Sequence, residues 1–370
     1  MPFPSPQGTQ ASIAAMLEAL QSRGDAPELW TYAHGSAHEV LPYTVRRLWN
    51  VPRNRSLRSG PSLTKVLLDV QLSLRLALSP MQAPGFIAHH VEGAAACALA
   101  GRPFAFFAHT DLVGELPTYA PPRLASLLSR AGHELQHSLV QRATAIAAIS
   151  PRLAQMFERT HGRPAHYVPT PWAARQPATA DERDRARSHL ALSPDQSVLL
   201  YAGNLDAYQG WEDVIAALSI VSRARADTVL LVATESSAAA LLELAQQLGV
   251  AGHLRLAPLR DGLDRQRVHA AADLCVVPRR VEGGLPIKLL DALSRGVPIV
   301  AVPRALAGLP LENAVLATTD SAPEAIAAAT LVALKDRALR EALGHAGSAY
   351  LREQHSPSKF FAAFDAVFGR

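Results

Sequence analysis

The chain has 370 residues, a formal net charge of +4 and a pI near 9.3, with 49% hydrophobic and 18% charged residues. That length suits two domains and that composition an ordinary globular protein, while the mild basicity is no footprint for nucleic acid and no apolar run approaches a membrane span. Cys97 and Cys275 both lie in apolar runs and read as core residues of a reduced, intracellular chain, and the opening Met-Pro-Phe-Pro-Ser-Pro has neither the charged nor the apolar region of a signal peptide.

Helical spacing starts just past Gly8, with apolar residues at helical intervals over 10–20. Strand-like runs follow at 28–32, 85–89, 104–109, 143–149 and 166–169. A second series occupies 198–202, 228–233, 254–258, 273–277, 299–302 and 314–317. Helical stretches separate most of them. The alternation predicts an α/β protein made of two units with parallel sheets. The Pro/Ala-rich stretch 170–180 reads as the link between them. An amphipathic helix is expected over 357–368, packed across the domain junction. The expected division is 1–172, 173–352 and a terminal helix in 353–370. A unit of this kind normally opens with a strand that lies mid-sheet. Here a Pro-rich turn follows Met1 at once, so the first strand of the first unit is missing from the series.

Residues 278–300 carry the most information. An apolar strand over 274–277 runs into a Gly-rich turn, Pro286 stands where a helix begins, Gly296 ends that helix and Pro298 follows. Amide groups at such a helix start favour an anion, and Glu282 and Asp291 flank the turn as hydroxyl acceptors. The combination predicts a site for a phosphorylated sugar or nucleotide. The second unit also opens with a strand and a Gly turn at 201–211, where Gly203 permits close backbone approach. Its spacing is not GxGxxG, which argues against a dinucleotide dehydrogenase.

Together, 201–211 and 278–300 resemble the nucleotide-sugar half of retaining glycosyltransferases of the GT-B fold, family 4. The first unit is similar to the other half at Phe3 to Gln10, at His89-His90-Val91-Glu92-Gly93, at Phe106 to Asp111, and at Ala148-Ile149-Ser150, where a serine opens the next helix. The resemblance spans nearly the whole chain. It implies two Rossmann-like domains facing across a cleft, with acceptor on the first and a nucleotide diphosphate sugar on the second. It implies transfer of a glycosyl group with retention of configuration to an acceptor hydroxyl, which a lipid or cell-envelope glycan precursor would supply.

The resemblance also assigns residues. Gly8 is similar to the loop glycine near the donor diphosphate. His109 is similar to the histidine near the transferred sugar. Gly203 corresponds to the turn glycine beside the diphosphate, and Gly283, Gly284 and Leu285 to the turn whose amides meet sugar hydroxyls and phosphate. Asp291 is similar to the second acid of the Glu-x7-Glu motif that holds ribose hydroxyls. The first acid is displaced: Gly283 stands eight residues earlier and Glu282 one residue before that, so Glu282 is the expected catalytic-side carboxylate. Asn204 and Gln209 stand where the family usually carries Arg and Lys on the diphosphate. Lys288 is the expected replacement charge, with Arg279 and Arg280 as weaker ones. No cofactor and no metal are expected, since no Asp-x-Asp motif is present. The lost Arg/Lys pair and missing strand also fit a non-catalytic relative that binds a sugar nucleotide or a protein partner.

Two histidine patterns invite a metal. His133-Glu134-Leu135-Gln136-His137 is a literal HExxH, but no third ligand stands out, with Glu158 beyond an intervening strand. His89 and His90 are adjacent on a strand and point to opposite faces, so they do not share an ion. Finally, Arg46, Arg47, Arg53, Arg55, Arg58 and Lys65 fall between Tyr43 and Lys65 with no acid among them and Trp49 interleaved. Arg46–Lys65 reads either as a solvated loop or as a contact with an anionic membrane surface, which would place the protein in the cytoplasm, peripheral at the inner face of the membrane.

Overall fold

A computed structural model describes residues 3, 8–33, 41–49, 63–80, 85–119, 121–282 and 284–369. The turn residue Gly283 and the basic residues Arg53, Arg55 and Arg58 lie outside the described residues. So do residues 1–2 and 4–7 of the opening segment.

The second unit is a six-stranded parallel sheet. Its strands are β7 (Ser197–Ala202), β8 (Thr228–Ala233), β9 (Leu254–Ala257), β10 (Leu274–Val277), β11 (Ile299–Ala301) and β12 (Leu316–Ala317), in spatial order β12-β11-β10-β7-β8-β9. The first strand in sequence therefore lies mid-sheet, as a doubly wound fold requires. β8 and β10 are buried at every residue, which is why they read as unbroken apolar runs: helices cover both faces of a parallel sheet. Each fully buried Leu, Ile or Val contributes roughly 1.5–3 kcal/mol, and Leu200, Leu231, Val277 and Ile299 are all fully shielded.

The first unit is divided. Strands β3 (Phe86–His89), β4 (Phe104–Ala108), β5 (Ile146–Ala148) and β6 (His166–Tyr167) pair in that order in one parallel sheet. β1 (Glu28–Thr31) and β2 (Thr44–Arg47) form a separate parallel pair. β2 was not expected from the sequence. Its basic residues are used inside the fold: Arg46 Nε meets Glu28 at 2.6 Å, and Arg47 Nη1 donates to the Phe3 carbonyl at 2.6 Å. This part of the basic segment is therefore a strand rather than a solvated loop.

The units are joined twice. Residues 170–179 carry no helix or strand, and a helix Ala180–His189 starts from a reciprocal cap between Thr179 and Glu182. The return crossing precedes the terminal helix Pro357–Phe368, whose Ser356 caps it. That helix packs on the first unit, where Asp365 pairs with Arg23 at 2.8 Å and Phe368 stacks on Phe107.

Candidate active site

The site is built where β10 gives way to the helix Ile287–Ser294. Pro286 is its N-cap at φ −70°, and no side chain among the described residues caps the first turn. Those first amides are thus left for a ligand. The helix ends at Arg295, and Gly296 follows at φ +65°, the left-handed stop read from the sequence. Across the cleft, the helix Gly8–Ser22 begins against the same place. A Cβ on Gly8 would touch Ile287 Cγ1 at 3.4 Å, so two helix N-termini converge.

Lys288 projects from the first turn of the Ile287 helix. Its stem is partly exposed, but its Nζ is shielded and has no hydrogen-bond partner among the described residues. The ammonium lies over the Tyr201 ring, 4.2 Å from the centroid. Burial is the main cause that pushes its pKa down to about 7, with Arg279 adding to it and Cys275 opposing. A solvated lysine would not behave so. Gly203 sits beside it at φ +139°, where a Cβ would meet Lys288 Cε and Nζ at 3.4 Å. Only glycine takes that backbone conformation without strain.

Arg279 is a second buried cation. It is 6% exposed, its Nε donates to the Val281 carbonyl, and its guanidinium stands 5.6 Å from the Tyr208 ring centroid. Burial holds its pKa below the usual guanidinium range. Neither Lys288 nor Arg279 forms a salt bridge among the described residues. Arg280 behaves oppositely. Its Nε and Nη2 grip Asp213 at 2.7 Å each and its Nη1 meets Glu212 at 3.2 Å. It is a structural charge, and its place as a weaker replacement cation is corrected accordingly.

The neighbouring polar residues are less committed. Asn204 Nδ2 donates to Asp206 at 2.6 Å, and the Asn204 carbonyl accepts from the Tyr201 hydroxyl at 2.6 Å. Asn204 Oδ1 and Gln209 Oε1 are buried without a partner among the described residues. Leu285 is buried, so only its backbone can meet a ligand. Asp291 is buried one turn beyond Lys288, and Arg265 Nη1 donates to its Oδ2 at 2.7 Å. Arg265 thus claims one of the two oxygens expected to serve a ribose.

Three histidines meet on the opposite wall. His109 is 3% exposed, and its Nε2 stands 2.9 Å from His89 Nδ1. Its Nδ1 has no partner among the described residues. Burial, then His90 and His89, hold its pKa well below the usual imidazole range, so the ring is neutral. The His90 ring stacks on it at 5.1 Å between centroids. The sequence placed His89 and His90 on opposite faces. That expectation is overturned because His90 is not on the strand: it opens the helix His90–Leu99 at φ +66°. This left-handed residue turns its ring to the same side, and its Nε2 reaches Thr9 Oγ1 at 3.2 Å.

Gly284 closes the site. A Cβ there would fall 2.7 Å from Arg279 Nη2 and 2.9 Å from the His109 carbonyl oxygen. The second-unit turn therefore touches the histidine wall. Glu282 does not join it: its carboxylate is exposed and meets Arg152 Nη2 at 3.3 Å.

The HExxH pair lies elsewhere, on the helix Ala125–Arg142, and His161 joins it. This third histidine was missed because it sits on the next helix. Gln136 Oε1 accepts from the Leu112 amide, so its Nε2 faces Asp111 and His161 Nε2 at 2.9 and 3.0 Å. His161 then carries its proton on Nδ1, toward His137 Nδ1 at 3.3 Å. The arrangement is a hydrogen-bonded chain, with the ring nitrogen that would face an ion already protonated.

Known proteins give the site its context. Residues 6–171 match the family model described as Glycosyltransferase Family 4, and residues 196–336 the one described as Glycosyl transferases group 1. The D-inositol 3-phosphate glycosyltransferase of Segniliparus rotundus is 33% identical over 180 residues, covering 46% of this chain and 39% of that protein. Its counterpart in Actinosynnema mirum is 31% identical over 143 residues, covering 36% and 34%. The matches thus span well under half the length of these relatives. Among solved structures, WaaG, a glycosyltransferase involved in lipopolysaccharide biosynthesis, aligns with TM-score 0.74 at 18% identity over 100% of this chain and 98% of its own. Anabaena HepE in complex with UDP and glucose aligns with TM-score 0.74 at 15% identity over 99% and 97%. Sucrose-phosphate synthase of Thermosynechococcus elongatus aligns with TM-score 0.79 at 16% identity over 98% and 92%.

Proposed function

The chain belongs with the family 4-like glycosyltransferases of GT-B fold, and we propose that it is a retaining enzyme moving a sugar from a nucleotide diphosphate sugar to an acceptor hydroxyl. One observation carries the reading. Two buried cations, Lys288 and Arg279, stand without a carboxylate partner among the described residues, beside two converging helix N-termini. Burying unneutralised charge is expensive, and a diphosphate is the anion whose charge and size such a place fits. Anabaena HepE, solved in complex with UDP and glucose, supports a nucleotide among the ligands.

In this reading the amides of the Ile287 helix and Lys288 hold the donor diphosphate and stabilise it as it leaves. Gly8, Gly203, Asn204 and Gln209 line its path, and Gly283, Gly284 and Leu285 offer backbone to the sugar. Asp291, steadied by Arg265, accepts from the ribose. His109, neutral and oriented by His89, offers its carbonyl and ring to the transferred sugar as positive charge grows on it. Glu282 attends the sugar once its exposed contact with Arg152 yields. The chemistry needs neither metal nor cofactor.

The acceptor is a lipid or envelope glycan precursor met at an anionic membrane surface, in the cytoplasm. The helix Leu63–Leu78 supports this part. Val66, Leu67, Val70, Leu74 and Leu78 are exposed on it, with Lys65 and Arg75 on the same helix and the exposed Trp49 under Arg75. No described helix is long and apolar enough to cross a membrane.

The deciding experiment incubates the protein with a panel of nucleotide diphosphate sugars and follows free nucleotide and product anomer by NMR. Release of nucleoside diphosphate with a retained anomer is expected. Tight nucleotide-sugar binding with no turnover on any acceptor would favour the non-catalytic reading, which Asn204 and Gln209, standing for Arg and Lys, also fit.

A further inference from the structure

The two buried cations stand at different ends of the site. Lys288 lies over the Tyr201 ring and against Gly203, at the turn leaving β7. Arg279 lies against the histidine wall instead. The point where a Cβ on Gly284 would stand is 2.7 Å from Arg279 Nη2 and 2.9 Å from the His109 carbonyl oxygen. Lys288 thus borders the diphosphate of the proposed donor, and Arg279 borders its sugar.

The stem of Arg279 is fixed, but its fork is uncommitted. Nε donates to the Val281 carbonyl at 3.2 Å, and Cζ stands 5.6 Å from the Tyr208 ring centroid. Among the described residues, Nη1 and Nη2 make no hydrogen bond and no salt bridge, and both keep some contact with open space. Two such nitrogens present parallel N–H groups in a rigid plane, the geometry that a carboxylate accepts with both oxygens.

The surroundings of the fork select the charge it takes. Arg279 is 6% exposed, and a buried cation with no counter-ion is costly. A neutral hexose would leave that cost in place. A dianion is disfavoured for a different reason. Glu115, on the short helix Leu112–Glu115 that follows His109, makes no salt bridge with Arg279 but acts on it through space. Its Oε1 already accepts from the Tyr119 hydroxyl at 2.9 Å. That carboxylate would repel a second negative charge at the fork, so a monoanion fits and a phosphate does not. Glu282 is turned away, toward Arg152.

We infer, building on the donor reading above, that the donor sugar carries a carboxylate, as a hexuronic acid does, and that Arg279 receives it through Nη1 and Nη2. The charges of the site then divide. Lys288 and the helix N-termini face the diphosphate, and Arg279 faces the sugar. Arg279 is a specificity-determining residue in this arrangement, choosing the sugar without holding the leaving group.

The test is calorimetric titration of the 370-residue chain with three matched pairs: UDP-glucuronate and UDP-glucose, UDP-galacturonate and UDP-galactose, GDP-mannuronate and GDP-mannose. Free UDP and GDP are run alongside. One uronate is expected to bind at least about tenfold tighter than its neutral partner. Arg279→Gln should abolish that preference while leaving affinity for the free nucleoside diphosphate within about twofold. Arg279→Lys, which keeps the charge but not the fork, should recover only part of the preference. Neutral hexoses bound as tightly as their uronates by the parent chain would overturn the sugar class, with no variant needed. An equal loss of free nucleoside diphosphate and uronate donor in Arg279→Gln would return Arg279 to the diphosphate. Failure of the parent chain to bind any of these nucleotides would instead remove the donor reading itself.

Discussion

Lys288 rests its ammonium on the Tyr201 ring, 4.2 Å from the centroid, with the φ +139° turn of Gly203 pressed against it. An aromatic face is the gentlest neutral support a buried cation can have. It holds the charge without neutralising it.

Lys288→Met separates binding from stability. It removes a buried charge that lacks an ionic partner among the described residues, so the unliganded variant is expected to melt a few degrees higher near pH 6. Its affinity for a nucleotide sugar should fall at least tenfold. Calorimetric titration together with thermal scans checks both, and an unchanged affinity would remove Lys288 from the donor site.

The pH dependence follows from the same group. Its folded pKa, about 7, lies below the ordinary lysine value. Between those two values the unfolded chain binds more protons than the folded one, so this lysine makes stability rise with pH across that window. Donor binding restores the charge. Above pH 7 nucleotide-sugar binding should therefore take up close to one proton, and affinity should decline by up to about tenfold per pH unit. Titrations at pH 8 in buffers of different ionisation enthalpy read the proton directly; at pH 6 the uptake should vanish.

His89 acts through His109. Its Nδ1 stands 2.9 Å from His109 Nε2, so replacing it frees the ring to rotate. His109→Ala is expected to lower kcat by about 10²-fold. His89→Ala should lower kcat less and leave the donor KM nearly unchanged, whereas His89→Asn, which can keep the bond, should recover most of the loss.

Gly284→Ala tests whether the two walls must touch. The added methyl would strike Arg279 Nη2 at 2.7 Å and the His109 carbonyl at 2.9 Å. Arg279 can swing aside but the carbonyl cannot, so the walls must part. A loss of transfer of at least 10²-fold is expected, with a Tm close to that of the parent chain.

Glu282 and Arg152 form an exposed pair at 3.3 Å. Breaking it with Arg152→Ala should cost under about 1 kcal/mol of stability. Glu282→Gln is expected to reduce kcat while sparing donor affinity. Equal losses in kcat and affinity would place Glu282 on the nucleotide instead.

Strands buried on both faces announced themselves as apolar runs, and so β7, β8 and β10 were readable at nearly their observed bounds. β2 was not, because Thr44–Arg47 holds a single apolar residue, Val45, beside two adjacent arginines, and its stabilising partner, Glu28, is remote in sequence. The start and stop of the Ile287 helix could be read from Pro286, Gly296 and Pro298, since their backbone preferences are local. The state of Lys288 could not: whether a lysine four residues past a Gly-Gly pair is solvated or buried depends on Tyr201 and Gly203 arriving from another strand. His90 shows the opposite limit. Strand alternation is sound physics, but the strand stops at His89, and His90 at a left-handed φ of +66° no longer obeys it. His161 was hidden for a third reason, as helix packing rather than spacing brings it to His137.

The two chain crossings between the units are themselves stitched together. The Trp172 amide donates to the His355 carbonyl at 2.9 Å, and His355 Nδ1, fully buried, donates to the Thr170 carbonyl at 2.8 Å. Paired tethers of this sort act like a door hung on two pins: swinging is cheap, while sliding or corkscrew motion would tear shielded backbone bonds. The outgoing and returning crossings are thus tied to each other at shielded backbone, where the terminal helix comes back to the first unit.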